Sequence, residues 1–162
     1  MREDREDTGT AAANVAAVVL AAGRATRMGV QKVLLPLGGR PLVCRVVAAA
    51  LASRAAPTVV VVGHDAARVR DAVAGSPVTV VTNHRYAEGM STSLRTGVAA
   101  LDDDVRAALF LLGDQPFVTP ELLDRLIARF VATRAPIVRP AVDGRPTTPV
   151  SVSYTHLTLP TN

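Results

Sequence analysis

The chain has 162 residues, 49% of them hydrophobic and 20% charged, which suits one globular domain with a substantial core and leaves two domains cramped. Its 18 Lys plus Arg against 14 Asp plus Glu suit anionic substrates but fall short of a nucleic-acid footprint, and 3% aromatics leave no stacking platform for single strands. No apolar run approaches the ~18 residues that span a bilayer, and the one cysteine, Cys44, excludes an intramolecular disulfide or a Cys-based metal site; a soluble protein of the reducing cytoplasm is expected, with no membrane or nucleic-acid partner.

Residues 1–14 mix charge with Thr, Gly and Ala without periodicity and read as a disordered leader. Glu3, Asp4, Glu6 and Asp7 argue against a secretory signal, which needs a positive start. The folded domain is expected over 15–150. It opens with an apolar strand at 15–20, which runs into Leu20-Ala21-Ala22-Gly23-Arg24-Ala25-Thr26-Arg27-Met28-Gly29, with Lys32 three residues on. A small-residue turn at the carboxyl end of a parallel strand is where doubly wound folds bind ligands. Gly23 and Gly29 permit close backbone approach, so main-chain N–H groups can face phosphate oxygens. Arg24, Arg27 and Lys32 add charge to the same anion. Every other basic residue is arginine, so Lys32 is expected where a compact ammonium is preferred to a planar fork. The spacing is not that of a P-loop and no G-x-G-x-x-G occurs, which removes the support for a kinase or a dehydrogenase. An ordinary Arg-rich loop is the plainer alternative.

A helix is expected at 41–53, a strand at 58–62, a helix at 66–74 capped by Asp65, and a strand at 78–82. After that strand comes Asn83-His84-Arg85-Tyr86-Ala87-Glu88-Gly89-Met90-Ser91-Thr92-Ser93-Leu94-Arg95. Ser91 can cap a helix at 91–101, and small hydroxyls at a helix start suit a base edge or a sugar, although a plain N-cap explains Ser91 equally well. His64 and His84 lack partners at metal spacing and read as loop residues. The strand at 107–112 leads into Leu111-Leu112-Gly113-Asp114-Gln115-Pro116, which delivers Asp114 to the end of the sheet where the glycine loop lies. Asp114 there is a natural Mg²⁺ ligand, or else a turn residue before Pro116. Thr119, Pro120 and Glu121 signal the start of a helix at 120–133, and a last strand is expected at 136–139. Strands this apolar should be buried on both faces. From Ser151 to Asn162 the Arg, Ala and Val-rich texture gives way to Ser, Thr and Tyr, so 151–162 reads as a non-native tail outside the fold, with a genuine final strand from Val150 to Leu159 as the alternative. The alternation of short strands and amphipathic helices predicts an α/β fold, a Rossmann-like three-layer sandwich around a mostly parallel sheet.

The glycine loop, the Glu-Gly-Met-Ser-Thr-Ser-Leu-Arg segment and the Gly-Asp-Gln-Pro turn, in that order, resemble the molybdenum cofactor cytidylyltransferases, and Leu35-Pro36-Leu37-Gly38-Gly39-Arg40-Pro41-Leu42 resembles that family's approach to its first helix. The resemblance implies that Leu20, Ala21, Ala22 and Gly23 with Arg24, Arg27 and Lys32 hold a triphosphate, that Asn83, Gly89, Ser91 and Ser93 hold the nucleoside, and that Asp114 holds Mg²⁺. Arg27, Lys32 and Asp114 would be catalytic. It further implies transfer of CMP from CTP to the phosphate of molybdopterin, with a client molybdoenzyme as a possible partner. Ala22 and Gln115 favour CTP, since related guanylyltransferases carry Leu-Ala-Gly-Gly and Gly-Asp-Met-Pro. Family members often have Gly-Arg-Pro-x-His-Pro where this chain has Gly144-Arg145-Pro146-Thr147-Thr148-Pro149, so no role for a histidine carries over. The family's second metal carboxylate and last strands are expected beyond Val150, which would leave the sheet incomplete. Two other readings stand beside this one: transfer to another phosphorylated acceptor such as a sugar 1-phosphate, and a non-catalytic nucleotide-binding module.

Overall fold

A computed structural model describes residues 14–24 and 29–153. Arg27 and the expected leader up to residue 13 lie outside the described residues, as do 154–162. In chain order the elements are β1 (Val15–Ala21), a 3-10 turn (Lys32–Leu34), β2 (Pro36–Leu37), β3 (Arg40–Pro41), α1 (Leu42–Ala52), β4 (Thr58–Val62), α2 (Ala66–Val73), β5 (Thr79–Thr82), a second 3-10 turn (Tyr86–Glu88), α3 (Met90–Ala99), β6 (Ala107–Leu112), α4 (Pro120–Thr133), β7 (Ile137–Val138), β8 (Ala141–Val142), β9 (Arg145–Pro146) and β10 (Val150–Ser153).

The main sheet has the order β5-β4-β1-β6-β10-β7, with β1, β4, β5 and β6 parallel and β10 antiparallel to both its neighbours. Side chains of a strand alternate between faces, and β1 divides the core accordingly. Val15, Ala17, Val19 and Ala21 pack with Val43, Val46 and Val47 of α1 and Leu123, Ile127 and Phe130 of α4. Ala16, Val18, Leu20 and Ala22 pack on the opposite face with Leu94 and Val98 of α3. The result is the expected three-layer α/β sandwich. No helix among the described residues is long and apolar enough to cross a membrane.

Burial on both faces holds for β1 and β4 and for all but the last residue of β6. It does not hold for β5 and β7, which are only partly covered because each is an edge strand with a neighbour on one side. The tail expectation is corrected in part as well. Ser151 to Ser153 are sheet residues, and Ser151, 1% exposed, sits opposite Leu109 of β6 and Val138 of β7. The composition shift at Ser151 therefore does not mark the end of the sheet.

Helix ends follow local chemistry unevenly. Thr119 caps α4 by accepting a hydrogen bond from Leu122 N at 3.2 Å, with Pro120 at the first position. Asp65 occupies the cap position of α2 but makes no side-chain cap bond; its backbone is left-handed (φ 55°) and its carboxylate pairs with Arg68 at 3.0 Å. Cys44 donates to Ala72 O at 3.1 Å, and burial raises its thiol pKa above the ordinary value against the opposing field of Arg40.

α3 can approach the sheet closely because Gly97 faces it. A Cβ at this position would lie 2.5 Å from Val18 Cγ1 and 3.1 Å from Val61 Cγ2. Replacing Gly by Ala inside a helix gains roughly 1 kcal/mol of propensity, whereas overpacking a filled core costs roughly 1–3 kcal/mol. Val18 and Val61 are fully buried on central strands and have no room to yield. Gly97→Ala should therefore destabilise the fold by up to about 2 kcal/mol, read as a lower denaturation midpoint at unchanged m-value.

Candidate active site

The parallel strands end on one edge of the sheet, and the loops that leave them enclose a cleft of about 350 Å³ lined by Leu20, Ala22, Gly23, Arg24, Gln31, Lys32, Val33, Tyr86, Gly89, Met90, Ser93, Leu112 and Asp114. That size lies at the lower end of the range of small-molecule sites. The register explains the convergence: Leu20 of β1 is paired with Leu112 of β6, so the loops that follow them emerge side by side. Gly113 N donates to Leu20 O at 2.9 Å, and a Cβ on Gly113 would meet that same oxygen at 3.0 Å, so a side chain here would push the two loops apart.

Basic and acidic groups line this one cleft. Lys32 begins the first 3-10 turn, which is closed by Leu34 N to Gln31 O and Leu35 N to Lys32 O, both at 3.0 Å, and seated by buried Val33. The ammonium is thus exposed on a fixed backbone. Arg24, also exposed, lies with its guanidinium carbon 5.7 Å from the centre of the Tyr86 ring, within cation–π range. Asp114 is exposed on the turn after β6. On the remaining side Gly89, Met90 and Ser93 bring the N-terminal turn of α3 to the cleft, where the positive end of the helix dipole favours an anion.

Of the residues expected to hold a nucleotide, Leu20, Ala22, Gly23, Arg24, Gly89 and Ser93 line the cleft together with Lys32 and Asp114. Ala21 points into the opposite core, as strand alternation requires, and is 1% exposed. Of the two loop glycines Gly29 has positive φ (63°), while Gly23 leaves open space where a side chain would project.

Asn83 and Ser91 stand differently from the expectation. Asn83 is buried, its amide donates to Thr92 Oγ1 at 2.8 Å and to Ser93 Oγ at 2.9 Å, and its oxygen accepts from Arg85 N at 2.9 Å. Both of its N–H bonds are used within the protein, so it staples the loop between β5 and α3 rather than lining the cleft. Ser91 is exposed, outside the cleft lining, and does not cap α3; Gly89 takes that position at φ 116°. The local hydroxyl contacts belong to Thr92, whose Oγ1 lies 2.8 Å from Gly89 O and 3.0 Å from Arg85 O. An exposed Arg85–Glu88 pair closes the outer side of this loop and lowers the Glu88 pKa through its hydrogen bond. Asn83→Ala should cost about 1–3 kcal/mol, because it takes its partner from the buried Ser93 hydroxyl and from Arg85 N, and should weaken nucleotide binding through Ser93. Denaturation and a nucleotide titration of the same variant check both effects.

Gln31, Val33, Tyr86, Met90 and Leu112 line the cleft without having been singled out in the sequence. Gln31 is 6% exposed and donates to His64 O at 2.9 Å, tying the glycine loop to the end of β4. Its position beside Lys32 was the one available signal. His64 stacks at a tilt on Tyr86, with ring centroids 5.9 Å apart. Among the described residues no group of three or more His, Cys, Asp or Glu could hold a metal by itself. One carboxylate in this cleft still fits Mg²⁺, which takes one or two carboxylates and completes its shell with phosphate oxygens and water.

The bifunctional protein GlmU of Syntrophotalea carbinolica is 41% identical over 125 residues, which are 76% of this chain and 27% of that protein, and the same-named protein of Rhodospirillum rubrum is 40% identical over 125. The chain spans about a quarter of the length of these curated relatives. Among solved structures, Rv0371c of Mycobacterium tuberculosis H37Rv superimposes with a TM-score of 0.79 at 31% identity, covering 89% of this chain and 73% of that one. The same protein has also been crystallised in complex with manganese. A nucleotidyl transferase of Methanothermobacter thermautotroptrophicus gives a TM-score of 0.73 at 30% identity, covering 88% and 73%. The model of the MobA-like NTP transferase domain matches residues 17–160, and the chain belongs to that family of nucleotidyltransferases.

Proposed function

We propose that the cleft binds a nucleoside triphosphate with Mg²⁺ and transfers its nucleotidyl group to a phosphate on the acceptor. The observation that carries this reading is the meeting of Gly23, Arg24 and Lys32 with Asp114 in one cleft. Arg24 and Lys32 would bind the triphosphate, and the open face at Gly23 would admit its oxygens. Ser93 and the backbone at Gly89 would hold the nucleoside. Asp114 would hold Mg²⁺, whose chemistry here would be neutralisation of the triphosphate charge. An acceptor phosphate oxygen would attack the α-phosphorus in line, the bond to the bridging oxygen would break, and pyrophosphate would leave. The residues thus position and neutralise, with no covalent enzyme intermediate.

Two acceptor classes divide the support. The curated relatives favour a sugar 1-phosphate or a similar phosphorylated acceptor. Ala22 of the glycine loop and Gln115 of the acidic turn, as marks of resemblance to the cytidylyltransferases and not as base contacts, favour CTP and molybdopterin, with a client molybdoenzyme to receive the product. The test is a thermal-shift panel of CTP, GTP, ATP and UTP with Mg²⁺, followed by pyrophosphate release with each acceptor class. A ligand that binds only the native state raises its stability according to its concentration over Kd. Selective stabilisation by one triphosphate and pyrophosphate release with one acceptor are expected. Stabilisation without release from any acceptor would favour the non-catalytic nucleotide-binding module.

A further inference from the structure

We infer that Thr148 is a positioning residue for Asp114, acting through Gln115; the inference rests on the proposed role of Asp114. The turn after β6 is held on its inner side by backbone: Gly113 N donates to Leu20 O at 2.9 Å and Gln115 N to Leu112 O at 3.1 Å. On its outer side the Thr148 hydroxyl donates to Gln115 Oε1, a contact across 33 positions of sequence between two half-buried side chains. Thr148 has a firm base. Thr147 N donates to Pro140 O at 2.9 Å, Pro149 is buried, and Val150 then pairs with Phe110 of β6. The segment from β9 to β10 thereby clamps the residue directly after Asp114, so the backbone at Asp114 is held from both neighbours: from Gly113 by β1 and from Gln115 by Thr148.

This arrangement gives Gln115 a role distinct from base recognition. Gln115 is not among the residues that line the cleft, and its side-chain oxygen is taken by Thr148. Asp114 itself is exposed, so nothing in its own packing aims it at the cleft. An exposed carboxylate on a loosely held turn loses rotational and backbone freedom when it meets a metal-bound phosphate. A clamp on the adjacent residue removes part of that cost beforehand.

The experiment compares Thr148→Val, Thr148→Ser and Gln115→Leu with the unaltered chain. Amide hydrogen exchange is read at Gly113 and Gln115, Mn²⁺ binding with nucleoside triphosphate present is read by electron paramagnetic resonance, and pyrophosphate release is titrated with Mg²⁺. Thr148→Val and Gln115→Leu should speed exchange at Gln115 and raise the metal concentration for half-saturation about five- to tenfold, as for loss of one neutral hydrogen bond. Affinity for metal-free nucleotide should stay within twofold, and Thr148→Ser should restore the unaltered values. A merely structural role would lower the melting temperature and leave the metal requirement alone. Unaltered exchange and metal requirement in Thr148→Val would overturn the inference. If the unaltered chain releases no pyrophosphate, the functional reading fails, and the exchange rates decide the clamp by themselves.

Discussion

Asp114→Asn should lower metal-dependent nucleotidyl transfer at least about a hundredfold while leaving the melting temperature nearly unchanged. The substitution keeps size and shape and removes only the charge. The turn does not depend on that charge, because Gly113 and Gln115 anchor it through their backbones to Leu20 and Leu112, and the side chain is exposed. Surface changes of this kind move stability by about 0.5 kcal/mol or less. A neutral amide, however, is a poor ligand for a hard cation that prefers carboxylate and phosphate oxygens. Pyrophosphate release at saturating triphosphate, with a melting curve on the same sample, makes the comparison. Near-normal turnover in the variant would remove Asp114 from the chemistry and with it the strongest argument for catalysis in this cleft.

Lys32→Met should reduce kcat/KM by roughly 10- to 100-fold, the loss of one charge-assisted contact of about 1.5–3 kcal/mol. The methionine preserves the length and the apolar stem, and the turn that carries it is held by its own two hydrogen bonds and by buried Val33. Folding should therefore be untouched. Lys32→Arg is the sharper arm of the test. Its charge is the same, but its planar fork needs two acceptors in one plane where a small ammonium needs only a point of negative charge. Arginine should therefore restore only part of the activity, and because the charge is unchanged the remaining deficit should persist as salt rises. Full activity of Lys32→Met would show that the triphosphate is held without it.

Local signals accounted for much of the fold because they need no distant partner. Thr119, Pro120 and the apolar face through Leu123, Leu126, Ile127 and Phe130 specify the helix at 120–133, and the structure has it with those bounds. The helix at α3 was legible in kind but not at its start, where Gly89 displaced Ser91 as the cap because Thr92 is engaged by Asn83 and the preceding loop. Two small hairpins went unread although their turns are spelled out by Gly38-Gly39 and Asp143-Gly144, all four with positive φ, as such two-residue turns require. Strands of two residues are too short to show an alternation.

By itself the sequence determined that a small-residue loop with basic side chains and a lone carboxylate each end an apolar strand, since strand, turn and charge are properties of neighbouring residues. It also determined the layering, through the runs of β1, β4 and β6, whose apolar residues on both faces call for cover on both sides. Which strands became neighbours was left to the tertiary structure. Pairing of β1 with β6 joins segments some ninety positions apart, and its register, Leu20 against Leu112, is chosen by how the helices on both faces pack. The same holds for Asn83, turned inward to staple a loop, and for Thr148, brought beside Gln115 by a strand that composition had set outside the domain. Contacts between remote polar side chains have no local signature, because they exist only after the burial of apolar surface has brought the chain segments together.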